Sequence, residues 1–257
     1  MTLAARRDGE GLADSLSFDF VDSERGAAAL VRVGNGDASS EGILFGPDGN
    51  AVTTGDVSVS DDGERARVTF EADGTGLEFG ITRIAGVAFE PGSAFSDASG
   101  LTHEAWAARV DGEWHAGGSS GRVDTLGVVL RSTGAIDWTA VELIRSLTAV
   151  LDDGSLLAVA SARPAGASGH GEEAASAVFF DSAGSLNRFE EPLLSTEYDS
   201  AGWPRRAGLE LWGTDDDAPA LRGAGTLIAG NADTAFLRFG FDGTPGTARY
   251  ELMRAAP

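Results

Sequence analysis

Apolar side chains fall at every second position in one short stretch of this chain after another. In "RARVTFEA" Ala66, Val68, Phe70 and Ala72 share one face, and Arg65, Arg67, Thr69 and Glu71 share the other. "TAFLRFGF" repeats the pattern with Ala235, Leu237, Phe239 and Phe241, and "GLELW" sets Leu209 and Leu211 against Glu210 and Trp212. A period of two predicts strands buried on one face. Between such stretches stand turn signals. Asp-Gly begins at Asp8, Asp48, Asp62, Asp73, Asp111, Asp153 and Asp242, and Asn-Gly at Asn35. Both residues of such a pair tolerate the positive φ of a type I′ hairpin, whose twist matches the strands it joins. Short strands at spacings near ten residues predict an antiparallel all-β barrel or sandwich.

One pentapeptide occurs twice. Phe180-Asp-Ser-Ala-Gly184 returns as Tyr198-Asp-Ser-Ala-Gly202, each copy flanked by apolar residues. An aromatic that ends a strand, an Asp that caps a turn and a Gly that supplies left-handed φ predict two successive hairpins, with a binding motif as the alternative. The segment from Asp137 to Leu151 reads two ways. Ala140, Leu143, Ile144, Leu147 and Leu151 suit a helix, whereas Val141, Leu143, Leu147 and Leu151 suit a strand. Its neighbours favour the strand.

Composition narrows the picture. At 257 residues and 42% hydrophobic content the chain can bury a sizeable core, and its 36 glycines follow no collagen-like triplet. Gly and Ser thicken at 90–100, 115–121 and 162–173. The first of these predicts a division into an N-terminal half, 1–95, and a C-terminal half, 96–257, and the last is a polar loop of the kind that overhangs a binding mouth. The formal charge is −21, and all 19 basic residues are Arg. That field repels nucleic acid and anionic membrane surfaces. The absence of Cys excludes disulfides, thiolate nucleophiles and thiolate metal sites. No signal-peptide core or membrane-length apolar run is present, so the expectation is a soluble, cytoplasmic protein without membrane insertion.

Familiar catalytic constellations are missing. His103, His115 and His170 lack zinc spacing, and the neighbours His103 and Glu104 would point to opposite faces of a strand. "GGSSG" at 117–121 lacks the strand-to-helix setting of a nucleophile elbow. Asp215-Asp-Asp217 lacks the alternation of a calcium loop. We therefore expect neither metal nor cofactor. What remains is aromatic: 5 Trp, 13 Phe and 2 Tyr either fill a core or line a cavity for an apolar ligand. Trp106, Trp114, Trp138, Trp203 and Trp212 are the residues of interest.

From Glu104 to Met253 the order of features resembles the AttH/carotenoid 1,2-hydratase superfamily. It runs "VDGEWHAGGSSGRVDTLG", "AIDW", "LDDGSLLAV", the two Asp-Ser-Ala-Gly hairpins and the closing "FDGTPGTARYELM". Arg122 and Gly127 fit the family's polar stretch and Thr125 stands in for a serine, whereas Asp124 replaces a histidine and Leu126 a tryptophan. The resemblance implies two lipocalin-like β halves. Together with the strand rhythm, the aromatics and the altered polar stretch, it leads us to expect a hydrophobic small molecule, isoprenoid or lipid, held in a β cavity with little or no catalysis, and ligand contacts at Trp106, Trp114, Trp138, Trp203, Arg122 and Asp124. The alternative is an enzyme that hydrates, cyclises or isomerises an unsaturated isoprenoid-type substrate. Adding water to an alkene asks for a buried, protonated acid, and Asp137 beside Trp138 is the leading candidate. Asp124 beside Arg122 is a poorer acid, because a cation lowers its pKa.

Overall fold

A computed structural model describes residues 14–34, 40–46, 51–52, 56–72, 74–89, 92–116, 118–213 and 219–254. The described residues form eighteen strands in two antiparallel sheets of nine. The first sheet holds β1 (Ser15–Asp22), β2 (Ala27–Gly34), β3 (Glu41–Phe45), β4 (Ala51–Val52), β5 (Asp56–Asp61), β6 (Arg65–Ala72), β7 (Thr75–Ala88), β8 (Leu101–Ala116) and β9 (Ser119–Gly134). The second holds β10 (Val141–Leu151), β11 (Leu156–Pro164), β12 (Ala174–Phe180), β13 (Leu186–Phe189), β14 (Leu193–Tyr198), β15 (Pro204–Leu211), β16 (Leu221–Gly230), β17 (Thr234–Phe241) and β18 (Thr244–Arg254). The expected all-β fold of two lipocalin-like antiparallel halves is the one observed.

Both sheets have the same topology. Each is a meander whose first strand pairs with its last, β1 with β9 and β10 with β18, which places the sheet edges in mid-sequence at β4 and β5 and at β13 and β14. The first sheet curls far enough to bring β2 against β5, nearly closing a barrel. Among the described residues no helix is long and apolar enough to cross a membrane.

The division between sheets lies at residues 135–140, not at 95/96, since β8 and β9 pair with β7 and β1. The Gly/Ser-rich stretch before residue 100 encodes a helix instead, α1 (Ala94–Ser99). Ser93 caps its N-terminus by accepting from Ser96 N, and Gly100 ends it in the left-handed region. The segment 137–151 resolves into a turn followed by strand β10.

Inward faces agree with the alternation read above. Ala66, Val68 and Phe70 join Phe18, Phe20, Phe79 and Trp114 inside the N-terminal barrel, and Ala235, Leu237, Phe239 and Phe241 join Leu209, Leu211 and Tyr250 inside the C-terminal sheet. The outer faces of several strands are buried as well, because the two halves pack against each other. Ala105, Ala107, Val128 and Leu130 of the first half meet Ile144, Ala158, Ala160 and Val178 of the second.

The two pentapeptides are turns. Asp181 Oδ1 accepts from the backbone N–H of Ala183 and Ser185, and Asp199 Oδ1 accepts from those of Ala201 and Trp203. Gly184 and Gly202 carry φ of +92° and +80°. The Asp-Gly pairs divide. Asp242-Gly243 has positive φ at both residues, as a type I′ turn requires. Asp111-Gly112 is no turn: it lies inside the sixteen-residue strand β8, where Gly112 pairs with Phe79. A Cβ at 112 would stand 2.2 Å from Glu78 O, so glycine is there for close approach of β7. The signals at Asp8, Asp48, Asp73 and Asn35 lie wholly or partly outside the described residues.

Candidate functional site

Below the mouth of the N-terminal barrel the interior is packed with aromatic side chains. Phe18, Phe20, Phe70 and Phe79 are fully or almost fully buried, and the Phe20 and Phe79 rings meet edge-on at 5.5 Å. At the mouth this packing gives way to a half-open cavity of about 360 Å³, within the range of roughly 300–1,000 Å³ typical of small-molecule sites. Its lining comes from strand ends: Leu16 of β1, Val33 of β2, Val59 and Asp61 of β5, and Arg131 and Thr133 of β9. Leu16, Val33 and Val59 rest directly on the barrel core.

Trp106 stands behind this lining, on the barrel-facing side of β8. The guanidinium carbons of Arg83 and Arg131 lie 5.3 and 5.6 Å from its ring centre, close enough for cation–π attraction. Arg83 is committed elsewhere too, donating from both Nη atoms to Asp61 at 2.7 Å each, and these bonds hold the Asp61 carboxyl below its ordinary range. Arg131 is held more loosely. Its side chain is half exposed and donates to Glu104 at 3.3 Å.

The other expected site residues do not converge here. Trp114 is buried in the barrel core with its indole against Gly121, and therefore fills space. Trp138 is half-buried against the inter-sheet core. Trp203 and Trp212 are 41% and 44% exposed on the C-terminal half. Arg122 and Asp124 both lie on the exposed face of β9, and the near partner of Asp124 is Arg109, at 4.0 Å, in place of the expected Arg122. Asp137 is exposed in the turn before β10. It accepts from Thr139 N at 2.9 Å and Thr139 Oγ1 at 2.6 Å, which lowers its pKa. A carboxyl so placed is ionised at neutral pH and lacks the burial that proton donation asks for.

Three strongly perturbed ionisable groups, Asp19, Glu251 and His103, lie between the sheets. Arg249 of β18 is 2% exposed; its Nη1 lies 2.6 Å from Asp19 Oδ2, in charge contact though off the hydrogen-bond line, and its Nη2 donates to Ser17. Glu251 accepts from Arg32 Nη2 at 2.6 Å and lies 3.2 Å from Arg249 Nε, and Arg32 Nη1 reaches Glu41 at 2.8 Å. Burial pushes Asp19 up to about 6 against the pull of Arg249. Burial alone would raise Glu251 too, but Arg249 and Arg32 bring it down to about 2. His103 faces the same network, and burial lowers it to about 4. Its neighbour Glu104 points the other way, to Arg131, as strand alternation required.

A second buried charge cluster lies against β10 and β11 of the C-terminal sheet. Glu173, carried in by the 162–173 loop, accepts from Arg145 Nε and Nη2 and from Ser161 Oγ, with Arg163 Nε at 3.4 Å. Nearby, the buried Tyr250 phenol shares a 2.9 Å hydrogen bond with Tyr198, and burial raises its pKa. Glu173 thus ties the end of this loop to β10 and β11.

No sequence-family profile matches this chain, and no curated protein matches it. Solved structures do. A crystal structure assigned as an AttH, from Nitrosomonas europaea, superposes with a TM-score of 0.70 at 16% identity, covering 94% of this chain and 92% of its own. Kievitone hydratase from Nectria haematococca gives 0.67 at 9% identity, covering 97% and 91%. CghA, crystallised with Sch210972, gives 0.63 at 10% identity, covering 95% and 88%. The resemblance expected from the sequence therefore holds as a likeness of fold along nearly the whole chain.

Proposed function

We propose, from a tandem lipocalin-like fold shared with an AttH structure and a hydratase, that this protein binds a hydrophobic small molecule at the mouth of its N-terminal barrel. One observation carries the reading. At one end of the barrel, next to its packed aromatic core, a half-open cavity of about 360 Å³ sets Leu16, Val33 and Val59 beneath a rim of Arg131, Thr133 and Asp61. An apolar floor with a few polar groups at the edge is the usual make-up of a small-molecule site. Native mass spectrometry of protein purified from its own host, followed by organic extraction, tests it. A stoichiometric apolar passenger, lost when Val59→Trp fills the cavity, is the expected result. A passenger retained by that variant refutes the location.

A second reading is an enzyme that hydrates, cyclises or isomerises an unsaturated isoprenoid-type molecule. Kievitone hydratase among the structural neighbours favours it, as does Asp19, an acid that burial keeps protonated up to about pH 6. Asp19 belongs to the inter-sheet network and not to the cavity lining, so binding is placed first. Turnover of unsaturated isoprenoids by the wild type, abolished in Asp19→Asn while the cavity still takes ligand, would reverse that order.

A further inference from the structure

We propose that the molecule held at the barrel mouth is an apolar compound ending in a neutral carbonyl oxygen, and that the cavity rejects the carboxylate of matching shape. This rests on the binding reading above and adds the chemistry of the ligand's polar end.

Among the described residues three charged side chains line the cavity, the carboxylates of Asp14 and Asp61 and the guanidinium of Arg131, for a formal balance of one negative charge. Immediately behind them Arg83 and Glu104 cancel. A carboxylate ligand would set a third anion against a single lining cation, inside a chain that already carries −21. Like charges in a half-desolvated cavity repel more strongly than in water.

A carbonyl oxygen brings no charge and needs only a donor. Arg131 has five N–H groups, and its hydrogen bond among the described residues is the 3.3 Å contact to Glu104. Arg83 gives a donor from each Nη to Asp61, and its unpartnered Nε–H is buried and outside the lining, so Arg131 is the cation that faces the cavity. Trp106, 5.6 Å from the Arg131 guanidinium, restricts where those N–H groups point. Thr133, already within 3.1 Å of the Thr102 hydroxyl, adds a second polar group at the rim. The oxygen therefore sits at Arg131 and the apolar body lies on Leu16, Val33 and Val59. With no lysine in the chain, no side-chain amine is present to trap a ketone covalently.

The test compares 2-dodecanone with dodecanoate, by calorimetry on the full chain at neutral pH and low salt. The ketone is expected to bind at least about tenfold more tightly, with a gap that narrows as added salt screens the rim. Arg131→Gln should weaken the ketone about tenfold, the worth of a charge-assisted hydrogen bond, and Val59→Trp should abolish binding of either probe. Dodecanoate binding as tightly as the ketone, and lost in Val59→Trp, overturns this proposal while leaving the binding site in place. Ketone binding indifferent to Arg131→Gln also overturns it. If neither probe binds, or both bind unchanged to Val59→Trp, the binding reading falls as well.

Discussion

Replacing Asp19 by Asn should change how stability depends on pH, in a direction set by the buried network between the sheets. Asp19 titrates at about 6 in the folded protein against 3.8 for a free aspartate, because burial penalises its charge more than Arg249 relieves it. A raised folded pKa means that the native state holds the proton more tightly. The contribution of this group is therefore fully present below pH 3.8 and is lost as pH rises through 6. About two pKa units at ~1.4 kcal/mol each make this a loss of ~3 kcal/mol. Asparagine keeps the shape and cannot ionise, so D19N is spared that loss. His103 works in the opposite direction. Burial depresses it from 6.5 to about 4, so its contribution is present above pH 6.5 and is lost as pH falls through 4. In the wild type the two trends largely offset each other between these limits. Urea unfolding of both proteins, followed by tryptophan fluorescence from about pH 4 to 7, should show D19N gaining ~2–3 kcal/mol on the wild type as pH rises. Curves that stay parallel to within about 0.5 kcal/mol would refute the assigned desolvation of Asp19.

Glu173→Gln should cost about 3–5 kcal/mol, since it strips the shared anion from buried Arg145 and from Arg163; thermal melts check it, with the surface change Glu197→Gln as a near-neutral control. Gly112→Ala should destabilise the protein by more than about 2 kcal/mol, because its Cβ meets Glu78 O at 2.2 Å and forces β7 and β8 apart. Hydrogen exchange localised to those two strands is the discriminating readout. Asp181→Ala and Asp199→Ala should each cost about 1 kcal/mol, additively, as separate turns that each lose two side-chain hydrogen bonds, and leave ligand affinity unchanged. Altered affinity in either variant would mean the pentapeptides do more than turn the chain.

The strands were legible wherever one face met a core and the other met water. "RARVTFEA" and "TAFLRFGF" assign their own inward sides, and the Asp-Ser-Ala-Gly turns announce their hairpins, because period two and turn chemistry are local properties. Where both faces are buried the pattern loses meaning. β10 is buried almost throughout, which is why helix and strand competed over 137–151. The alternation of Arg249 and Glu251 with Ala248, Tyr250 and Leu252 reads as a solvent face, yet that face is pressed against the other half. The Gly/Ser-rich stretch at 90–100 looked like a linker, since a capped one-turn helix draws on the same residues.

The candidate site was legible only in part. Trp106 could be named as an aromatic of interest, and it stands behind the cavity, whereas Trp203 and Trp212 are surface residues of identical composition. Leu16, Val33, Val59 and Arg131 come from four strands spread over more than a hundred positions, and no local pattern gathers them. By itself the sequence determined the class of fold, the turns and most inward faces, because these depend on neighbours one or two residues away. Only the tertiary structure decided which outward faces were covered, which carboxyls lost their water and which strand ends met around a cavity. Those are consequences of pairing the first strand of each meander with its last and stacking one half on the other, and they depend on contacts between residues far apart in the chain.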